Sequence, residues 1–140
     1  MLELNKLYLM DCMIGMKTFP DKYFDLAIVD PPYGIGNWTM ESRKARPYNK
    51  KWDVKWNDTT PTSNYFNELR RICKNQIIWG VNYYREHVPS GGAVIWNKGN
   101  KSGIGSACEI ASNSLITRVD YYFEQFTGFI NNEKTTKIHP

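Results

Sequence analysis

The residues Asp30-Pro31-Pro32-Tyr33 follow an apolar run, and their types suit the binding of a planar amine. Neither proline has a backbone N–H to donate, and each disfavours helix in the residue before it. A strand must therefore end at Asp30 and the chain must turn. Such a turn holds one carboxylate and one proline carbonyl as hydrogen-bond acceptors, with the ring of Tyr33 beside them.

The exocyclic amine of a nucleobase is a ligand that would use both acceptors. Its nitrogen is a poor nucleophile because the lone pair is delocalised into the ring. Two acceptors that hold its hydrogens would favour a pyramidal nitrogen, and attack on an electrophilic methyl group then becomes feasible. Ligands of open α/β sheets bind outside the carboxyl ends of the strands, so the position of this turn favours chemistry over scaffolding.

Strands and helices alternate along the rest of the chain, which predicts an α/β sandwich with a mostly parallel sheet, flanking helices and a C-terminal β-hairpin. The uniformly apolar stretch Leu26–Val29 is expected to be a central strand covered on both faces. Predicted strands cover 6–10, 26–29, 76–80, 92–99, 107–112 and 117–126, the last two forming the hairpin. Predicted helices cover 13–19, 81–88 and a segment capped by Thr60 or Thr62 that continues to 75.

Residues 34–60 lack periodicity and are predicted to form a long loop insert. Within the insert, basic residues are interleaved with aromatic ones, a mixture that suits phosphate contacts and base stacking in DNA binding. A solvated loop anchored by a few aromatic side chains remains an equal alternative. The basic residues are Arg43, Lys44, Arg46, Lys50, Lys51 and Lys55, and the aromatic ones are Tyr48, Trp52 and Trp56.

Length and composition predict one cytoplasmic domain. The chain has 140 residues, of which 41% are apolar, and its net charge of +4 modestly favours an anionic partner. No apolar run is long enough to cross a bilayer, and the N-terminus does not resemble a signal peptide. Cys12, Cys73 and Cys108 lack the spacing of a zinc or disulfide framework, so we expect them to be reduced and mostly buried. His87 and His139 are expected to be exposed surface residues.

The motif DPPYGIG after an apolar strand resembles the catalytic motif of the amino-methylating DNA methyltransferases, the S-adenosylmethionine-dependent adenine-N6 and cytosine-N4 enzymes. Asp as the first residue points to adenine, because the cytosine enzymes more often use Ser. The similarity runs through KLYLMDCMIGMKTFPDKYFDLAIVDPPYGIG, and QIIWGVNYY, AVIWNKG and ACEIASNS follow in that family's order. It covers nearly the whole chain and points to the group in which the catalytic half precedes the cofactor half.

The resemblance implies a Rossmann-like methyltransferase fold and a role for each residue of the motif. Asp30 and the Pro31 carbonyl would accept from the target amine, Pro32 would stiffen the turn, and Tyr33 would stack on the flipped adenine. Flipping is required because the amine cannot be reached in a stacked duplex. Asp11 would lie near the adenine of the cofactor, where Asp30 also contributes, and an ordinary solvated aspartate is the alternative for Asp11.

Two features at the end of the predicted 92–99 strand have a structural interpretation as well as a functional one. Trp96 and Lys98 could line the same crevice, with core packing and plain solvation as the respective alternatives. The glycines at 99, 103 and 105 are taken as a flexible loop, because the segment after them is predicted to be a strand rather than the helix of a nucleotide-binding loop.

The sequence departs from the family at its last residues. The family continues with His-Pro-Thr-Gln-Lys-Pro and then a Phe-x-Gly-x-Gly loop that grips the methyl donor, whereas 137–140 match only the start of that segment. Three hypotheses follow: an N-terminal piece that is inactive alone, one chain of a split enzyme whose partner carries the cofactor loop, and a non-catalytic DNA-binding remnant. Because each would leave an unpaired sheet edge, we also expect a homo-oligomer or a complementary chain.

Overall fold

The computed structural model describes residues 1–35, 59–88, 91–99 and 106–125. These residues form an α/β-like fold in which a five-stranded mixed sheet carries few helices. In chain order the elements are α1 (Cys12–Met16), β1 (Phe24–Val29), α2 (Ser63–Ile72), β2 (Cys73–Trp79), a 3₁₀ turn (Val81–Tyr83), β3 (Gly92–Asn97), β4 (Cys108–Asn113) and β5 (Val119–Phe123).

The strand order β1-β2-β4-β3-β5 brings several strand ends to one end of the sheet. The pairs β1–β2 and β3–β5 are parallel, whereas β4 runs antiparallel to both β2 and β3. Consequently β1, β2, β3 and β5 finish where β4 begins, and we call this the site end of the sheet. Antiparallel pairing on both sides of β4 makes the sheet less parallel than the sequence predicted.

The expected hairpin of the last two strands is wrong, because β3 lies between β4 and β5. Ile95 of β3 pairs with Ile110 on one side and with Tyr121 on the other. The connection from β4 to β5 crosses the beginning of β3, where the Gly92 N–H donates to the Ile116 carbonyl at 3.0 Å. A Cβ on Gly92 would overlap that carbonyl oxygen, so the absence of a side chain permits this crossing.

The strand predicted at 6–10 is also wrong. These residues pair with none of the five strands, and the side chains of Leu7 and Leu9 are fully exposed, at 101% and 107%. An apolar segment becomes a strand only where a neighbour completes its hydrogen-bond ladder. At residue 11 the chain instead enters α1, which begins at Cys12.

The first strand of the sheet lies at an edge and not at the centre. In the described part of the chain β1 pairs only with β2, and its burial alternates. Leu26 and Ile28 are 38% and 64% exposed, whereas Ala27 and Val29 pack against the core. The uniformly apolar sequence therefore does not correspond to a strand covered on both faces.

The core lies between the sheet and α2. Phe66, Leu69 and Ile72 are buried at a spacing of three residues along α2, as expected for one face of an amphipathic helix. They cluster with Met16, Cys73, Ile78 and Tyr84. Thr62 occupies the N-cap position, as predicted, although its side chain makes no capping hydrogen bond.

Smaller differences concern helix length and cysteine burial. Helix α1 ends at Met16, and only a 3₁₀ turn forms in the segment predicted as a helix over 81–88. All three cysteines are free, as predicted, but Cys12 is exposed, so the expectation of burial holds for Cys73 and fails for Cys12. None of the helices in the described ranges is long and apolar enough to cross a membrane.

Candidate functional site

The turn after β1 lies at the site end of the sheet, beside the turn that follows β2. Residue pairing in parallel register places Val29 opposite Ile78, so Asp30 emerges next to the Trp79–Gly80 segment. Asp30 is exposed and Pro31 is buried, which gives the corner one solvent-facing carboxylate above an anchored backbone. We call the residues Asp30–Tyr33 the proline corner.

Tyr84 anchors the proline corner to the core. Its side chain is fully buried and packs against the ring of Phe66, with ring centroids 5.4 Å apart. Its hydroxyl lies 2.5 Å from the carbonyl oxygen of Pro31 and 2.7 Å from that of Pro32, in the geometry of a hydrogen bond to each. The acceptor carbonyl predicted from the sequence is thus held by a buried donor.

Tyr33 turns back over the carboxylate that precedes it. Its hydroxyl donates to Asp30 Oδ1 at 2.5 Å. Its ring stacks on the ring of Tyr83, with centroids 4.7 Å apart and planes inclined by 12°. The predicted base-stacking ring therefore already takes part in an aromatic stack, and the predicted acceptor carboxylate already accepts one hydroxyl.

Gly80 permits the close approach of the Tyr33 ring to the backbone after β2. Its φ of +72° lies in the left-handed region, and a Cβ added there would overlap Cε1 of Tyr33. The Gly80 N–H donates to the Ile110 carbonyl at 2.9 Å, which fixes this backbone to β4. A residue with a side chain would have to displace the ring.

The environment of the corner raises the pKa of both tyrosine hydroxyls. Burial is the largest cause for Tyr33, followed by its hydrogen bond to Asp30 and the charges of Asp30 and Glu109. Burial is also the main cause for the raised pKa of Tyr84, followed by the charge of Asp30. Both hydroxyls therefore remain protonated donors well above neutral pH.

An ion pair lies on the β3 and β4 side of the site end. Lys98 Nζ is 2.5 Å from Glu109 Oε1, and both side chains are largely buried, at 19% and 29% exposure. The prediction that Lys98 is simply a solvated surface residue is therefore wrong. Trp96 is partly buried, donates its indole N–H to the Glu124 carbonyl at 3.0 Å, and packs edge-on against Trp79.

Asp11 has a structural partner. Its Oδ1 accepts from the Met13 N–H at 2.7 Å and caps the beginning of α1. Capping accounts for an aspartate at this position without a ligand. The role that the resemblance implied for Asp11, contact with the cofactor, remains a prediction.

His87 differs from the exposed residue that was expected. Its ring is largely buried and stacks on Phe66 with centroids 5.1 Å apart, and its Nε2 is 3.3 Å from the Glu86 carboxylate. The second histidine, His139, and the predicted DNA-binding insert lie outside the described residues. The insert residues concerned are Arg43, Lys44, Arg46, Lys50, Lys51 and Trp52.

The structure adds residues to the site that the sequence analysis did not assign. Gly80, Tyr83 and Tyr84 all contact the proline corner. The run Val81–Tyr84 comes shortly after the end of β2 at Trp79. The sequence signal for these site residues was therefore the pair of tyrosines, Tyr83 and Tyr84, after a strand end. No described group of His, Cys, Asp and Glu side chains is arranged to hold a metal ion.

Neither a protein-family model nor a curated protein sequence matches this chain.

Proposed function

We propose that this chain is the amine-binding half of an S-adenosylmethionine-dependent DNA adenine-N6 methyltransferase with a Rossmann-like fold, of the kind found in restriction–modification systems. One observation carries the proposal. The exposed carboxylate of Asp30 lies next to the backbone carbonyl of Pro31 at the carboxyl end of a parallel strand. This carbonyl accepts a hydrogen bond from the buried Tyr84. The carboxyl end of a strand is the position at which open α/β sheets bind ligands.

The chemistry of the proposal is the orientation of the target amine. A carboxylate offers about four lone-pair sites, so Asp30 can take an amine hydrogen in addition to the Tyr33 hydroxyl, and the Pro31 carbonyl offers two sites, of which the amine needs one. Asp30 would accept one hydrogen and the Pro31 carbonyl the other. Holding both hydrogens out of the plane of the base would localise the nitrogen lone pair and raise its nucleophilicity.

Tyr33 and Tyr83 form the aromatic part of the proposed base site. The flipped base would stack on this pair, because stacking on an aromatic side chain offsets the loss of stacking in the duplex. The ring of Tyr83 already lies on the ring of Tyr33. We therefore propose a single stack that contains the flipped base, Tyr33 and Tyr83. The basic insert at 43–56 would contact the DNA backbone.

No contact of the described residues assigns a site for S-adenosylmethionine. The methyl group of this cofactor is the electrophile in the proposed reaction. Of the two predicted cofactor residues, Asp11 uses its carboxylate to cap α1 and Asp30 accepts from Tyr33. The contribution of this chain that the geometry supports is therefore amine binding, and no transfer step is derived.

We further propose that the exposed edge at β1 associates with another chain. Leu26 and Ile28 project from an edge strand whose outer hydrogen-bonding groups have no partner strand in the described part of the chain. Such an edge favours pairing. The proposed occupant is a complementary chain that carries the cofactor loop, and a homo-oligomer is the other outcome. The test is light scattering of the concentrated protein together with any chains that co-purify with it. A single species with the mass of one chain would contradict both outcomes.

The proposal is tested by asking whether the protein recognises an exocyclic amine. The probes are two fluorescein-labelled duplexes that differ at one position opposite an abasic site, where one carries adenine and the other carries purine without the amine. An unpaired base is easily flipped, so the target sequence need not be known. We expect anisotropy titrations to give about tenfold tighter binding of the adenine duplex, the scale of hydrogen bonds to a charged group.

The variant Asp30→Ala should remove this preference, and Asp25→Ala should retain it. Asp25 is a matched control because it is an exposed aspartate on the same strand, at the opposite end. Equal binding of the two duplexes by the wild-type protein, or a preference that survives in Asp30→Ala, would refute amine binding by the proline corner.

Two alternatives are decided with the same design. A preference for an unpaired cytosine over its analogue without the amine would favour cytosine-N4 as the target. A non-catalytic DNA-binding protein is the second candidate, and one observation favours it: tyrosine hydroxyls already occupy both acceptors. It would bind both duplexes equally and in a salt-dependent manner.

A further inference from the structure

Tyr84 places one hydroxyl hydrogen between two carbonyl oxygens. The hydroxyl oxygen is 2.5 Å from the Pro31 oxygen and 2.7 Å from the Pro32 oxygen. A tyrosine hydroxyl carries a single hydrogen and can donate to one of these acceptors at a time. Rotation about the C–O bond moves this hydrogen from one carbonyl to the other without any movement of the ring.

Burial makes the choice between the two carbonyls consequential. Tyr84 is fully buried, and a buried hydroxyl that loses its acceptor is strongly disfavoured. With Pro32 as an alternative acceptor, the hydroxyl remains satisfied when another donor approaches Pro31. Burial raises the pKa of Tyr84 further above neutral pH, so the hydroxyl remains a donor.

We propose that Tyr84 is a positioning residue for amine recognition, whose hydroxyl donates to the Pro31 carbonyl in the free protein and turns to the Pro32 carbonyl when a target amine docks. The inference rests on the proposed function, because it assigns the Pro31 carbonyl to the amine. Tyr84 itself does not touch the base. It holds the corner in place and releases a lone pair of Pro31 without leaving a buried group unpaired.

The ring and the hydroxyl of Tyr84 have separable roles. Packing on Phe66 belongs to the ring, which Tyr84→Phe retains, whereas both contacts to the corner belong to the oxygen, which this variant removes. Without the oxygen the two prolines lose the donor that fixes their carbonyls. The acceptor of Pro31 would then be less well aligned with the carboxylate of Asp30.

The test compares Tyr84→Phe with the wild-type protein on the adenine and purine duplexes. We expect the roughly tenfold preference for adenine to fall to about twofold, since one of the two acceptors is no longer held in alignment. Affinity for the purine duplex should not change. The matched control is Tyr23→Phe, which removes a hydroxyl beside Phe24 at the other end of β1 and should keep the full preference.

A purely structural role would have a different signature. If Tyr84→Phe lowers the thermal midpoint but retains the full preference for adenine, the positioning role is wrong. That result would leave the proposed function standing, provided that Asp30→Ala abolishes the preference. Equal binding of both duplexes by the wild-type protein would instead remove the proposed function itself.

A measurement on the wild-type protein keeps the inference testable should Tyr84→Phe not fold. Proline labelled with carbon-13 at the carbonyl reports hydrogen bonding at Pro31 and Pro32 through the chemical shift. We expect the adenine duplex to move the Pro32 carbonyl signal downfield as it gains the Tyr84 hydrogen, and the purine duplex to leave it in place. An unmoved Pro32 signal in the saturated adenine complex would overturn the inference.

Discussion

The two ends of β1 each carry an exposed aspartate, and the surroundings of these two residues differ. Asp25, at the amino end, pairs with Lys74 of β2 at 2.7 Å in an ion pair open to solvent. Asp30, at the carboxyl end, accepts from the hydroxyl of Tyr33 and is followed by a buried proline. Two aspartates at the two ends of one strand thus have different surroundings.

The difference lies in what fixes the backbone and what balances the charge. At the amino end a lysine hydrogen-bonds to the carboxylate of Asp25 and lowers its pKa, so its charge has a partner. In the described residues around the carboxyl end, the contacts to Asp30 and Pro31 come from neutral hydroxyls. A fixed backbone next to a carboxylate that no cation of the described residues contacts is the arrangement expected of a ligand site.

The largest effect is expected from a side chain introduced at Gly80. The variant Gly80→Ala forces an alanine into the left-handed backbone region, which costs about 1–2 kcal/mol. Its Cβ would also overlap the Tyr33 ring, which adds to that cost. We expect the free energy of unfolding in urea to fall by about 2 kcal/mol or more, with loss of the preference for the adenine duplex.

Gly91→Ala is the control for this variant. A Cβ at Gly91 would have no neighbour within 4 Å, and its backbone does not require glycine. The substitution should leave stability nearly unchanged. Equal losses in Gly80→Ala and Gly91→Ala would show that the approach of Tyr33 to the turn after β2 is not a constraint on the fold.

The smallest effect is expected at the amino end of β1. Because Lys74 lowers the pKa of Asp25 below its ordinary value of 3.8 in the folded state, the ion pair stabilises the protein above that pH. This contribution is lost as the pH falls through the folded pKa. Asp25→Asn should therefore be slightly less stable than the wild-type protein at neutral pH, and this difference should vanish on acidification.

Comparison of the variant with the wild-type protein isolates this carboxylate. Glu68 also has a lowered pKa, through its hydrogen bond to Arg71, but it is present in both proteins and its contribution cancels. Denaturant unfolding at a series of pH values provides the measurement. A stability difference that is the same at neutral and strongly acidic pH would show that the Lys74 pair does not stabilise the fold.

Local features of the fold follow from the sequence, and the arrangement of the strands does not. The amphipathic spacing of Phe66, Leu69 and Ile72 predicts α2, and the proline pair predicts the end of β1, because both depend on neighbouring residues. The insertion of β3 between β4 and β5 depends on how a connection crosses Gly92. Alternating apolar patterns specify a strand and its faces, but they do not specify its neighbours.

The same distinction applies to the site. The motif identifies Asp30 and Tyr33, since four consecutive residues contain both the turn and its acceptors. The contact between Tyr84 and Pro31 joins residues 53 positions apart and arises only after α2 returns the chain to β2. No local pattern marks the hydroxyl of Tyr84 as the donor that holds the corner.

The central claim, that the proline corner binds an exocyclic amine, is tested most directly on the amine itself. The measurement is the proton spectrum of an unpaired adenine whose amino group carries nitrogen-15, in duplex DNA saturated with the protein. We predict two separate amino proton signals, both downfield of their positions in free DNA. In the complex of Asp30→Ala, one of the two signals should lie at its position in free DNA. Amino signals that stay at their free positions in the saturated wild-type complex would contradict the account.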